Sequence, residues 1–151
     1  MLIAKRTYSI LAAAIVVGAS AAYLSSVPSM AEPLSVTLTG AQEVPPVRTL
    51  ATATSSITVA ADGTVTGAVD TIGIEGTMAH IHQGAIGVSG PVVVTLEKTS
   101  ATRWSVPAGT KLTDAQLDTY KHGDLYVNVH SAAHKSGEIR LQLTPTAGVT
   151  H

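Results

Sequence analysis

Two histidines, His80 and His82, stand one residue apart in AHIHQGAIGVSGP (79–91), ahead of Gly84, Gly87, Gly90 and Pro91. The whole chain has six histidines, so the spacing calls for a reason. Along a β-strand, residues i and i+2 project from the same face, which would set these two imidazoles side by side as a chelating pair. His130 ends DLYVNVH (124–130), and His134 follows in the loop SAAHKSGE (131–138). Neutral imidazole suits copper and zinc, and the chain has no cysteine to add a thiolate. His80 and His82 are therefore a candidate chelating pair, and His130 and His134 are the imidazoles open to joining it. Copper is the expected ion and zinc the alternative, because the pair leaves open positions and Met78 lies on the same face as a soft donor for Cu(I). Read alone, the pair fits a solvated surface equally well, and the metal reading depends on where His130 falls.

The elements that must position these residues are short and alternating. LSVTLTG (34–40), TATSSITVA (52–60), TVTGAVDTIG (64–73), AHIH (79–82), PVVVTLEK (91–98), DLYVNVH (124–130) and EIRLQL (138–143) predict strands. Such segments between turn signals are the pattern of an antiparallel all-β sandwich or barrel. Asp62-Gly63 reads as a two-residue hairpin connection. One short helix near 113–121 interrupts the strands: Thr113 with Gln116 forms a capping box, Leu112 and Leu117 a hydrophobic staple, and Gly123 closes the end. His122, in its last turn, complements the helix dipole. With no Phe and a single Trp, Trp104, the core has to be built from Val, Ile, Leu and Ala.

Each strand near the histidines has one apolar and one polar side. Leu125, Val127 and Val129 oppose Tyr126, Asn128 and His130; Ile139, Leu141 and Leu143 oppose Glu138, Arg140 and Gln142; Ala79 and Ile81 oppose Met78, His80 and His82. If the three strands are neighbours with their apolar sides buried together, His80, His82, Tyr126, Asn128, His130, Glu138 and Arg140 gather on one outer face. Asn128, Glu138 and Arg140 would then support the ligands, an amide or carboxylate accepting the far N–H of an imidazole. Glu138 and Arg140 read more simply as an ion pair worth under about 1 kcal/mol. EVPP (43–46) reads as a rigid extended edge segment, and the glycines after His82 as a tight loop with no phosphate role.

The N-terminus bears on location. Lys5 and Arg6 precede an uncharged apolar run from Ile10 to Leu24 that Gly18 and Ser20 dilute, the pattern of an export signal. Residues 1–31 are the expected signal peptide, cut after Ala31 or earlier near Ala21–Ala22, and an uncleaved anchor is the alternative. Residues 32–151 form one expected domain with a core over about 34–143 and a flexible tail at 145–151. The expected location is secreted or periplasmic, with no membrane attachment once the signal is removed. The formal charge is −1, and the signal takes two basic residues and no acidic one, which speaks against nucleic acid as a partner. Without cysteine, no disulfide supports the fold.

LTGAQEVPP (38–46), AHIHQGAIGVSGP (79–91), GDLYVNVHS (123–131) and HKSGEIRLQL (134–143) occur in the order seen in the CHRD domain, the repeated domain of chordin. The chain resembles that family from about Leu34 to Leu143. It departs from it at Leu141, where glycine is common, and at Ser131, where threonine is usual. A looser likeness joins HIHQG and VNVHS to the copper-ligand strands of copper/zinc superoxide dismutase, a Greek-key β-sandwich. The two resemblances imply a Greek-key immunoglobulin-like or dismutase-like sandwich, with His80, His82 and His130 in the copper-ligand positions and His134, where the CHRD pattern carries a histidine, as a weaker fourth ligand. No histidine or aspartate stands between His82 and Trp104, so the bridging and zinc ligands of the dismutase have no counterpart.

Two functional classes follow. One is an exported metal-binding protein, a copper carrier or weak redox site. The other is a metal-free module that binds extracytoplasmic proteins, as the chordin likeness implies. An enzyme is the lesser expectation, and superoxide dismutation would be its activity; a hydrolase is disfavoured because there is no G-x-S-x-G elbow and no cysteine.

Overall fold

Apolar–polar alternation becomes eleven strands in the computed structural model, which describes residues 36–145. In chain order these are β1 (Val36–Thr39), β2 (Thr52–Ser55), β3 (Thr58–Val59), β4 (Val65–Thr66), β5 (Ala68–Ile72) and β6 (Gly76–Gln83). After them come β7 (Val92–Thr95), β8 (Glu97–Lys98), β9 (Arg103–Ser105), β10 (Leu125–Ser131) and β11 (Ile139–Leu143). The expected signal peptide with its cleavage region, and the tail beyond 145 with His151, lie outside the described residues.

Nine strands form one antiparallel sheet in the order β7-β6-β10-β11-β1-β2-β5-β9-β8, while β3 and β4 make a separate hairpin. The two ends of that order are consecutive in the chain. Only Leu96 separates β7 from β8; it is buried and donates its N–H to the carbonyl of Ala79. One extended segment therefore starts at one edge of the sheet and finishes at the other, bringing the sheet nearly to closure as a barrel. Closure leaves little free edge for another chain to pair with. The all-β class with one short helix is as expected, with the two layers of a sandwich joined into one sheet.

Details differ where local signals compete. TATSSITVA breaks after β2, where the Ser56 N–H turns to the Ala68 carbonyl at 2.9 Å. The turn at Asp62-Gly63 has three residues, because Ala60 and Thr64 close it with a 2.9 Å bond and Asp62 Oδ1 accepts from the Thr64 N–H at 3.0 Å. β9 has only three residues and no alternation to announce it; Trp104 is buried there and Arg103 pairs with Asp70 at 2.6 Å.

The helix, α1 (Asp114–Lys121), starts at the Thr113–Gln116 capping box, and Gly123 takes a positive φ of 80° after it. Leu112 and Tyr120 are buried and Leu117 packs against the core. At the centre of the sheet, Val127 of β10 faces Ile81 of β6 on one side and Leu141 of β11 on the other. Leu125, Val127, Val129, Ala79, Ile81, Ile139, Leu141 and Leu143 are all buried, so the predicted apolar faces do meet. Each buried Val, Leu or Ile contributes on the order of 1.5–3 kcal/mol. This packing sets the register of the polar side as well.

Candidate metal centre

The same register aligns the polar residues. His82 lies opposite Tyr126, His80 opposite Asn128, and Met78 opposite His130, while Gln142 and Arg140 flank Tyr126 and Asn128 from β11. The expected gathering is present, but the face is not an outer one. Tyr126, Asn128, His82, His130, Glu138 and Arg140 are buried, and His80 is half-buried. Strand alternation identifies a polar side without saying what covers it, and here the segment 84–91 folds back over it.

That loop answers the polar side chains with backbone carbonyls. Arg140 donates to the carbonyls of Val88 and Ala85, both at 3.0 Å, and to Gln142 Oε1 at 2.9 Å. Gln142 donates to the Gly84 carbonyl at 2.7 Å, and His82 Nδ1 meets the Gly90 carbonyl at 2.9 Å. The Gly90 N–H donates to the Tyr126 hydroxyl at 3.2 Å. The Arg140 guanidinium lies 3.4 Å from the centre of the Tyr126 ring, against which the His82 ring stacks at 4.8 Å and 3°. Glycine is required at 90 because a Cβ there would collide with the Gln83 carbonyl. The glycines after the histidine pair thus let a backbone approach close enough to hold one of its rings.

His80, His82 and His130 each bring a ring nitrogen to within 4.8 Å of the others. His80 Nδ1 is 3.0 Å from His130 Nε2. His130 Nδ1 meets the Lys135 carbonyl at 2.9 Å, as His82 Nδ1 meets that of Gly90. A carbonyl only accepts, so in the neutral rings both Nδ1 atoms carry the proton and both Nε2 atoms keep a lone pair. His82 Nε2 is buried with no hydrogen-bond partner. A metal at about 2.0–2.1 Å from each nitrogen separates tetrahedral ligands by roughly 3.3–3.5 Å. The His80–His130 spacing is already close to that, so the donor set fits an ion with modest movement of His82.

Burial, followed by the charges of His130 and His82, holds His80 below the ordinary imidazole pKa. Burial likewise holds His82 down, with the Gly90 carbonyl and the Asn128 amide opposing the shift and His130 and Arg140 adding to it. Both rings therefore favour the neutral form that a metal requires.

Several supporting roles differ from expectation. The far N–H groups of His82 and His130 are taken by backbone carbonyls, where side chains of Asn128, Glu138 and Arg140 were expected. Glu138 accepts from Thr49 Oγ1 at 2.7 Å while Arg140 is spent on the loop, so the expected Glu138–Arg140 ion pair does not form. His134 lies outside the group of three: its carbonyl accepts from Ser131 and Gly137, and the neighbouring Lys135 carbonyl is what reaches the site. Met78 is exposed, and His122 bonds the Asp118 carbonyl of its own helix at 2.8 Å. Glu43, expected only as part of a rigid edge, belongs to the site's surroundings. It is buried, Oε1 has no partner, and burial raises its pKa although Arg140, the Val44 N–H and the Asn128 amide oppose the shift.

Fold and site together define an all-β domain with a largely buried cluster of three imidazoles, two of them held by backbone carbonyls. The sequence matches the CHRD domain family over residues 34–143, and the chain belongs to that family. No curated protein and no solved structure matches it. Among the described residues, no helix is long and apolar enough to cross a membrane.

Proposed function

We propose that this CHRD domain is an exported metal-binding protein that holds one copper ion through His80, His82 and His130, as a carrier or a weak redox site. The observation that carries the reading is the preset pair of Nε2 lone pairs beside His80 Nδ1, three nitrogens within 4.8 Å of one another. The N-terminal pattern of basic residues and an apolar run supports export, and the family is of an extracytoplasmic type. Zinc is the alternative ion.

Calorimetric titration of tag-free protein with Cu(II), and with Cu(I) under reducing conditions, tests the reading. One ion per chain is expected, together with copper in protein purified from the exported fraction. Absence of stoichiometric uptake sinks it. The metal-free binding module then takes its place, favoured by the exposed Ile86 and Val88 at the tip of the covering loop.

A further inference from the structure

Among the described residues, the buried side-chain atoms without a hydrogen-bond partner are Glu43 Oε1, His82 Nε2, Asn128 Oδ1 and Trp104 Nε1. The first three belong to one neighbourhood. Asn128, only 1% exposed, sits on β10 between His80 and Arg140, two residues before His130 and on the same side of the strand. Its amide nitrogen and Glu43 Oε1 both border Gly137, which has φ 131° and where a Cβ would collide with both. Nδ2 lies on the Gly137 side with the Glu43 carboxylate, which the Asn128 amide favours in its charged form, and Oδ1 is left to the other side. The Asn128 amide is within hydrogen-bonding reach of the His82 ring and favours its protonated form, but in the neutral ring Nε2 carries no proton, and neither it nor Asn128 Oδ1 has a partner. With Nδ1 committed to the Gly90 carbonyl, His82 Nε2 is an acceptor. Two buried acceptors with no donor between them are costly as they stand. A cation satisfies both at once.

We infer that Asn128 Oδ1 is a fourth metal ligand, completing a neutral set with His80, His82 and His130, and that Glu43 is the positioning residue that orients its amide. The inference rests on the metal reading above and sharpens it. An amide oxygen is a harder donor than a thioether, and four coordination by three nitrogens and an oxygen suits Cu(II) or Zn(II) better than Cu(I). It also gives Glu43, within EVPP, a task that an edge segment lacks.

Titration of unmodified protein, Asn128→Ala, Asn128→Asp and Glu43→Ala with Zn(II) and Cu(II) chloride tests it. Asn128→Ala is expected to weaken binding about tenfold or more, Glu43→Ala about tenfold, and Asn128→Asp to bind at least as tightly as the unmodified chain. A folded Asn128→Ala that binds as tightly as the unmodified chain overturns the inference while leaving the three-histidine ion in place. No uptake by the unmodified chain overturns both. Should the alanine variant not fold, nuclear magnetic resonance of the unmodified chain decides: the Asn128 Cγ and Nδ2 resonances must move in step with the histidine rings as Zn(II) is added. Rings that move beside an unchanged Asn128 amide overturn it as well.

Discussion

His80 Nδ1 and His130 Nε2, on neighbouring strands β6 and β10, stand 3.0 Å apart. Because His130 gives its Nδ1 proton to the Lys135 carbonyl, its Nε2 is the acceptor and His80 Nδ1–H the donor in the metal-free protein. An ion held as proposed would take the place of that proton. His80 would then carry its hydrogen on Nε2, so binding would exchange a tautomer without releasing a proton from a neutral ring.

The first prediction concerns the ligand set. His80→Ala, His82→Ala and His130→Ala should each lower copper affinity by more than about 100-fold, the upper range for losing a mere supporting partner. His122→Ala and His134→Ala should leave it little changed, since both rings lie outside the group of three. Calorimetry on each variant measures this, and a His82→Ala variant that binds like the unmodified chain would remove the metal reading.

The second prediction concerns acid. His80 and His82 are held below the ordinary imidazole value in the folded chain, whereas unfolded they titrate near about 6.5. Below that pH the unfolded state binds more protons, so stability rises with pH through the window. The contribution is complete above about pH 6.5 and is lost as pH falls through the folded values. Glu43, raised by burial, acts in the opposite sense: its contribution is present at low pH and lost as pH rises through its folded value. Urea unfolding of metal-free protein at pH 7.5 and 5 should show a smaller acid loss in His82→Gln than in the unmodified chain. An equal loss would show that His82 is not depressed. Copper affinity should likewise persist below the ordinary imidazole pKa before protons compete.

Strands, helix and gathering of histidines were legible because each is written locally. Alternation places His80 with His82 and sets His130 against Val129, and the Thr113–Gln116 box starts the helix where it is seen. The cover over the polar side was not legible. Its hydrogen bonds come from the carbonyls of Gly84, Ala85, Val88, Gly90 and Lys135, and every residue owns a carbonyl. The place of Glu43 was hidden for a related reason: a carboxylate beside two prolines looks solvated until the contact with Asn128 and Arg140, more than 80 residues away in the chain, is known. Closure at Leu96 is also non-local, since one strand-like run serves both edges of the sheet.

The third prediction follows from Arg140, which is 1% exposed and ties the loop to β11. Arg140→Ala leaves the carbonyls of Ala85 and Val88 without their donor and uncovers the Tyr126 ring, for a loss of about 2–4 kcal/mol in unfolding free energy. Lysine has no fork to bridge two carbonyls, so Arg140→Lys should recover only part of that loss. Both variants should also bind copper more weakly, about tenfold, because the Tyr126 ring that backs His82 loses its other support. Chemical denaturation and calorimetry together check it. Full stability in Arg140→Ala would mean that the loop is held by something else.

The last prediction turns on Gly90, whose backbone touches the site twice, accepting from His82 Nδ1 and donating to the Tyr126 hydroxyl. A Cβ at this position would run into the Gln83 carbonyl, which belongs to the end of β6 and cannot retreat without pulling His82 with it. Gly90→Ala must therefore move the loop outward. His82 Nδ1–H then loses its acceptor, and water becomes the alternative partner for both ring nitrogens. The expected result is a folded protein in which the nitrogen resonances of His82 report a mixture of tautomers, where the unmodified chain shows one. Its copper affinity should fall about 10–100-fold, the range for losing the partner that orients a ligating imidazole. Gly87→Ala, at the loop tip, adds a Cβ that meets nothing within 4 Å, although the backbone there takes a positive φ of 77°. It should strain the tip while leaving the His82 tautomer single. If Gly90→Ala retained one tautomer, the ring would owe its orientation to the Tyr126 stack and not to the carbonyl.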